Sequence, residues 1–144
     1  MRGKGFTLIE VLIAVAILAI LAAIAIPNLQ DAFRRSRYSR AAADSKTSVT
    51  QAMTYASDHG VYPTSLSVLR QAGYCNVTND DPWRTPYQLS PALLSGVPSS
   101  SADELYVYSR GASTLGDYPD PFVGNTGLGG STGYSSIYGA WRGF

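Results

Sequence analysis

From Phe6 to Ile26 the chain carries apolar residues at almost every position, and Pro27 follows directly. A run of about 20 apolar residues is the length a helix needs to cross a bilayer, so the pattern predicts a membrane-spanning helix over residues 6–27. Pro27 removes a backbone donor and crowds the preceding turn, which loosens or kinks the helix near Ala22 to Ile26 without having to end it. Beyond it the period changes. Tyr38, Ala42, Val49, Ala52, Met53 and Ala56 recur at spacings of three, four and seven, one face of an amphipathic helix from about Asn28 to Ser57. Arg34, Arg35, Arg37, Arg40, Asp44, Lys46 and Gln51 largely take the other positions, so that side faces solvent or a neighbouring subunit. Asp58-His59-Gly60 supplies the stop.

Shorter elements follow. Tyr62-Pro63-Thr64-Ser65 leads into a short helix or turn through Leu66 and Leu69 that ends near Gly73. Residues 79–89 read as a turn feeding a short strand, Asp103 to Ser109 as the clearest strand, and Tyr134 to Tyr138 as a third. A loop rich in Gly, Asp and Pro fills Gly111 to Gly133, long enough in a small domain to need ordering by packing or by a ligand. The fold class expected is α+β: a long N-terminal helix packed on a small antiparallel sheet, with a long Gly-rich C-terminal loop.

Glu10 does not suit its surroundings. A carboxylate inside an apolar segment costs a few kcal/mol or more unless a cation neutralises it, which marks Glu10 as a functional group with a partner. Arg2 and Lys4 flank the run on one side and Arg34, Arg35, Arg37 and Arg40 on the other, so charge alone leaves the orientation open. A secretory signal peptide has a similar charge order, and Ala23-Ile24-Ala25 offers a small-x-small cleavage site after which a mature chain would begin at Ile26. A very short head and an early acid argue against it.

Composition narrows the function. Roughly 115 residues remain after the apolar run, enough for one modest domain and too few for two well-cored ones. The net charge of +1 gives no reason to expect a nucleic-acid partner. Cys75 is the only cysteine, so no intrachain disulfide forms, and it reads as a small buried residue. His59 is the only histidine, at a helix end with no nucleophile pattern around it, and serves as a helix-terminal charge or turn residue. Asn76-Val77-Thr78 matches a glycosylation sequon, and Ser95 to Ser101 reads as a flexible turn. No catalytic residue is expected.

Gly3-Lys4-Gly5-Phe6-Thr7-Leu8-Ile9-Glu10 followed by the apolar helix resembles the N-terminus of type IV pilins and of the pseudopilins of type II secretion. The resemblance implies that residues 1–5 are a leader, that a prepilin peptidase cuts between Gly5 and Phe6 and methylates the new Phe6 amino group, and that Glu10 meets the Phe6 ammonium of a neighbouring subunit in the filament. Physically, two opposite charges in a low-dielectric helix bundle offset each other's desolvation, while either alone is costly. Residues 28–144 would form the periplasmic or extracellular head, including the second half of the long helix.

A narrower likeness lies in the head. Tyr62-Pro63-Thr64, Asp81-Pro82-Trp83 with Pro86-Tyr87, Tyr108-Ser109-x-Gly111-Ala112 and Gly139-Ala140-Trp141 resemble the order found in major pseudopilins, where a calcium ion ties the late loop. Here Arg84 replaces a Gly of that pattern, Ser113 an Asp, and Ser135-Ser136 acids. The resemblance implies a possible calcium site at Asp117 and Asp120, set against the alternative of two solvated turn acids, because calcium wants six to eight oxygens. Three functions stand: a major pseudopilin, a type IV pilin of an extracellular fibre, and a membrane-anchored periplasmic binding domain. For the first two, the implied partners are other copies of the chain in a helical homopolymer, the prepilin peptidase, minor pilins or pseudopilins, the assembly platform with its ATPase, and the inner membrane.

Overall fold

The computed structural model describes residues 6–90, 93, 104–113 and 130–142. One helix, α1 (Leu8–His59), carries both the apolar run and the amphipathic stretch, with Pro27 inside it. The chain divides into two compact units, Met1–Ser36 and Arg37–Phe144.

In the first unit, apolar side chains from Phe6 through Phe33 are exposed all round the helix. Such a surface has no stable place in water.

In the second unit, α1 turns one face inward. Its buried residues are Tyr38, Ala41, Ala42, Ser45, Ser48, Val49, Ala52 and Ala56. Met53, expected on this face, is 48% exposed. Small residues take its place: Ala41, Ser45 and Ser48 let the helix backbone approach its neighbours closely, and the Ser48 hydroxyl donates to the Asp44 carbonyl at 2.8 Å, which cancels the cost of burying it. Gly60, with φ +75°, ends α1 as expected.

The short second helix, α2 (Leu66–Gln71), is capped by Ser65, whose hydroxyl accepts from the Val68 amide at 3.3 Å. It contributes Leu66 and Leu69 to the core. Four short strands follow: β1 (Gln88–Leu89), β2 (Tyr106–Ser109), β3 (Thr132–Ser135) and β4 (Gly139–Arg142). They form one antiparallel sheet in chain order, with Tyr106 opposite Ser135 and Ser135 opposite Gly139.

The third strand expected over Tyr134 to Tyr138 is found two residues earlier as β3, and residues 136–138 form a hairpin corner. The Ser135 hydroxyl accepts from the amides of Ile137 and Tyr138 at 3.1 and 3.2 Å, drawing the chain into a turn, and β4 then runs back along β3. One cluster unites Ala41, Val49 and Ala52 of α1 with Leu66, Leu69, Cys75, Val77, Tyr87, Leu93, Leu105 and Val107. Cys75 is buried, as expected.

Candidate functional site

The N-terminal site is built by the first turn of α1. Phe6 is 78% exposed, and Glu10 is the acidic residue of the first helical turn, where the helix dipole favours negative charge. Its amide bonds the Thr7 carbonyl at 3.1 Å, and the Thr7 hydroxyl donates to the Glu10 carboxylate at 3.5 Å, a long contact. No cation reaches Glu10 within the chain among the described residues. By length and composition α1 is long and apolar enough to cross a membrane. Gly5 lies outside the described residues.

The second feature is the head's turn from Asp81 to Thr85, which sequence reasoning singled out as a motif without seeing what it does. Asp81 is buried, and its carboxylate takes four hydrogen bonds. The amides of Trp83 and Thr85 donate to Oδ1 at 2.9 and 2.8 Å, and the hydroxyls of Thr85 and Ser109 donate to Oδ2 at 2.6 and 2.5 Å. The Asp81 carboxylate therefore fastens the turn to the end of β2. Ser109 passes the connection on, its hydroxyl accepting from the Gly111 amide at 3.0 Å. The Trp83 ring meets the Tyr38 ring edge-on, 4.8 Å between centroids, joining the same turn to α1. Arg84, the departure from Gly noted in the sequence, sits at φ 66°, the left-handed region a Gly would occupy without strain.

Gly111 and Gly130 stand close together beside Tyr38 of α1. A Cβ on Gly111, at φ +77°, would come within 2.1 Å of the Gly130 carbonyl oxygen and 3.3 Å of the Tyr38 hydroxyl, so residues 111 and 130 pack together against α1. Asp117 and Asp120 lie outside the described residues. The described flank does not fit a calcium shell: Asp81 has both oxygens bonded within the turn, and Glu104 accepts from the Ser135 hydroxyl at 2.5 Å. Among the described residues, no three His, Cys, Asp or Glu side chains stand together as metal ligands. Ser135 and Ser136, where the resembling pattern has acids, have structural uses here. Ser136 pairs with Leu105, its amide donating at 2.8 Å and its hydroxyl accepting at 3.0 Å.

Two further polar contacts escaped the sequence. Tyr87 donates to Asp44 at 3.1 Å, while Arg40 stands 3.6 Å from the same carboxylate. Burial first, and the Asp44 charge second, hold the Tyr87 hydroxyl far above its ordinary pKa. At the end of α1, Tyr74 donates to Asp58 at 2.6 Å, and that bond raises its pKa. His59 stacks flat on Tyr55 at 4.0 Å with Nδ1 3.0 Å from the Tyr55 carbonyl, a helix-end role as expected. These contacts brace the head.

An exposed apolar helix with one acid in its first turn, continuing into a small head of helix and antiparallel sheet, defines a pilin-like subunit. Residues 1–26 match the prokaryotic N-terminal methylation motif. The type II secretion system core protein G of Aeromonas hydrophila is 33% identical over 113 residues, spanning 67% of this chain and 79% of that protein. The corresponding protein of Vibrio cholerae is 35% identical over 106 residues, 62% of this chain and 73% of that protein. The type IV major pilin protein PilA of Myxococcus xanthus is 32% identical over 153 residues, 96% of this chain and 65% of that protein. The chain belongs to the type IV pilin-like family and is a structural subunit of a filament.

Proposed function

We propose that the filament is the pseudopilus of a type II secretion system and that this chain is its major pseudopilin. The supporting observation is that the likeness to core protein G reaches past the N-terminal motif and covers most of that protein. In this reading the prepilin peptidase cuts between Gly5 and Phe6 and methylates Phe6. The helix over residues 6–27 holds the subunit in the inner membrane with residues 28–144 in the periplasm. Assembly platform, ATPase and minor pseudopilins then draw subunits into a homopolymer, which does mechanical work by growing. The role is structural rather than catalytic.

Glu10 supplies assembly with its charge pairing. The carboxylate is placed in an apolar surface where no cation among the described residues reaches it, and the ammonium created at Phe6 of a neighbour is the complementary group. Removing one partner leaves the other buried and unpaired, a cost of about 3–5 kcal/mol per subunit. Glu10→Ala is therefore expected to be inserted and cleaved yet to yield few or no filaments; normal filaments would sink the pairing. Mass spectrometry of the mature chain is expected to show an N-methylated Phe6 terminus, and a chain beginning at Ile26 would identify a secretory signal peptide instead.

A type IV pilin of an extracellular fibre is the second reading, favoured by the Myxococcus PilA likeness across 96% of this chain. Deleting the gene separates the two: periplasmic retention of normally secreted proteins is expected for the pseudopilin, loss of surface fibres with intact secretion for the fibre pilin.

A further inference from the structure

We infer that Arg34 and Arg35 form a binding site for the phosphate groups of anionic phospholipids, in the leaflet from which the head emerges. The inference rests on the membrane-anchored state proposed above. It does not depend on which side of the membrane the head occupies.

The axial position of the pair is the first support. At 1.5 Å per residue, a helix starting at Phe6 crosses about 30 Å of hydrocarbon by residue 26 and carries the Arg34 backbone about 12 Å further, just past a headgroup layer of about 5–8 Å; helical side chains slope toward the N-terminus, so the long arginine side chain reaches back into that layer. The side chains change character at that height. Leu29 is 55% exposed and Phe33 59% exposed, both apolar and open to their surroundings. An aromatic ring on the head side of the headgroup layer, followed at once by two long guanidinium side chains that slope back toward it, is the order of an interfacial anchor.

The second support is that both arginines are exposed and that, among the described residues, no ion pair engages either guanidinium group. The ion pair of this helix joins Arg40 to Asp44, further along. Asp31 stands three and four residues before Arg34 and Arg35, at pairing distance along a helix, yet among the described residues it bonds neither. Adjacent arginines on a helix point about 100° apart, so they reach two different headgroups instead of competing for one. A guanidinium grips a phosphate through two parallel N–H bonds, which suits a phosphodiester better than a lysine ammonium would. The chemistry selects a headgroup with net negative charge, because in a zwitterionic one the attached ammonium repels the arginine.

The test uses the full chain in vesicles of phosphatidylcholine with one tenth phosphatidylglycerol, recovered in polymer nanodiscs that keep the surrounding lipid, with the lipids counted by mass spectrometry. Each arginine near an anionic surface favours an anionic neighbour by about fivefold at most, so the wild type is expected to enrich phosphatidylglycerol about threefold to tenfold over the bulk ratio. The Arg34→Gln/Arg35→Gln pair is expected to return most of the way to bulk, and Arg34→Lys/Arg35→Lys to keep an intermediate enrichment. Arg2 and Lys4 are present in every variant, so the difference belongs to the pair. Wild type at the bulk ratio, or the Gln pair equal to wild type, overturns the inference. So does a Gln pair that leaves the lipid ratio unchanged while weakening subunit association, which would assign the arginines to a second copy of the chain. A wild type washed from pure phosphatidylcholine vesicles by alkaline carbonate would instead overturn the membrane anchor itself.

Discussion

Replacing Asp81 by Ala is expected to be among the most damaging single changes in the head. The substitution deletes an acceptor for two amides and two hydroxyls at once, those of Trp83, Thr85 and Ser109. Hydrogen bonds to a charged group are worth about 1.5–3 kcal/mol each, but Trp83 and Thr85 are only half-buried and recover part of that from water. Ser109 is fully buried and does not. Summing one full loss and three discounted ones gives about 4 kcal/mol, against a total stability of about 5–15 kcal/mol for a domain. For a domain of this size that is a fall in melting temperature of about 15–30 °C. Asp81→Asn is the discriminating control. Its carbonyl oxygen still accepts from the two amides, and the Thr85 and Ser109 hydroxyls can rotate to accept from its amide nitrogen, so about 1–2 kcal/mol is expected. Thermal unfolding of the full chain in detergent micelles, followed by tryptophan fluorescence, reads the tertiary structure around Trp83 and Trp141, both in the head, rather than the helical signal of α1. An Ala variant within 1 kcal/mol of wild type, or an Asn variant as unstable as the Ala one, would refute the idea that this carboxylate fastens the turn to β2.

Arg84→Gly removes the left-handed strain at φ 66° and is expected to stabilise the head by up to about 1 kcal/mol in the same melt, less whatever the added backbone freedom takes back in the unfolded chain. Gly133→Ala should destabilise it by about 2 kcal/mol or more, because the new Cβ would come within 2.5 Å of the Tyr108 Cβ and 2.6 Å of the Val107 carbonyl oxygen in the middle of the sheet. Tyr87 gives a pH signature. Its folded pKa lies above the unfolded value near 10, so the stability it contributes is complete below pH 10 and is lost as pH rises beyond it, at up to about 1.4 kcal/mol per pH unit. Denaturant unfolding between pH 9 and 11 should show that decline in wild type and a shallower one in Tyr87→Phe; equal slopes would remove Tyr87 as its source.

The long helix, its stop at Gly60 and the odd acid at Glu10 were legible in the sequence because each rests on local physics. A 3.6-residue period, a left-handed Gly and the cost of a charge among apolar side chains do not depend on what the rest of the chain does. The buried face of α1 was legible only in part. Ser45 and Ser48 look polar in sequence, yet both are buried, because close packing favoured small side chains and, for Ser48, the helix's own carbonyl met the hydroxyl. Met53 was misplaced for the converse reason: an apolar residue near the right phase need not be covered. The corner at Ser136 to Tyr138 was hidden because its turn is set by the Ser135 hydroxyl rather than by a Pro or an Asn-Gly pair. Asp81 shows the limit most clearly. Asp81-Pro82 announces a turn at once, but the carboxylate's bond to Ser109, 28 positions along the chain, exists only once the sheet has brought β2 beside that turn. What depends on neighbours along the chain was written in the sequence; what depends on neighbours across the fold was decided by its closure.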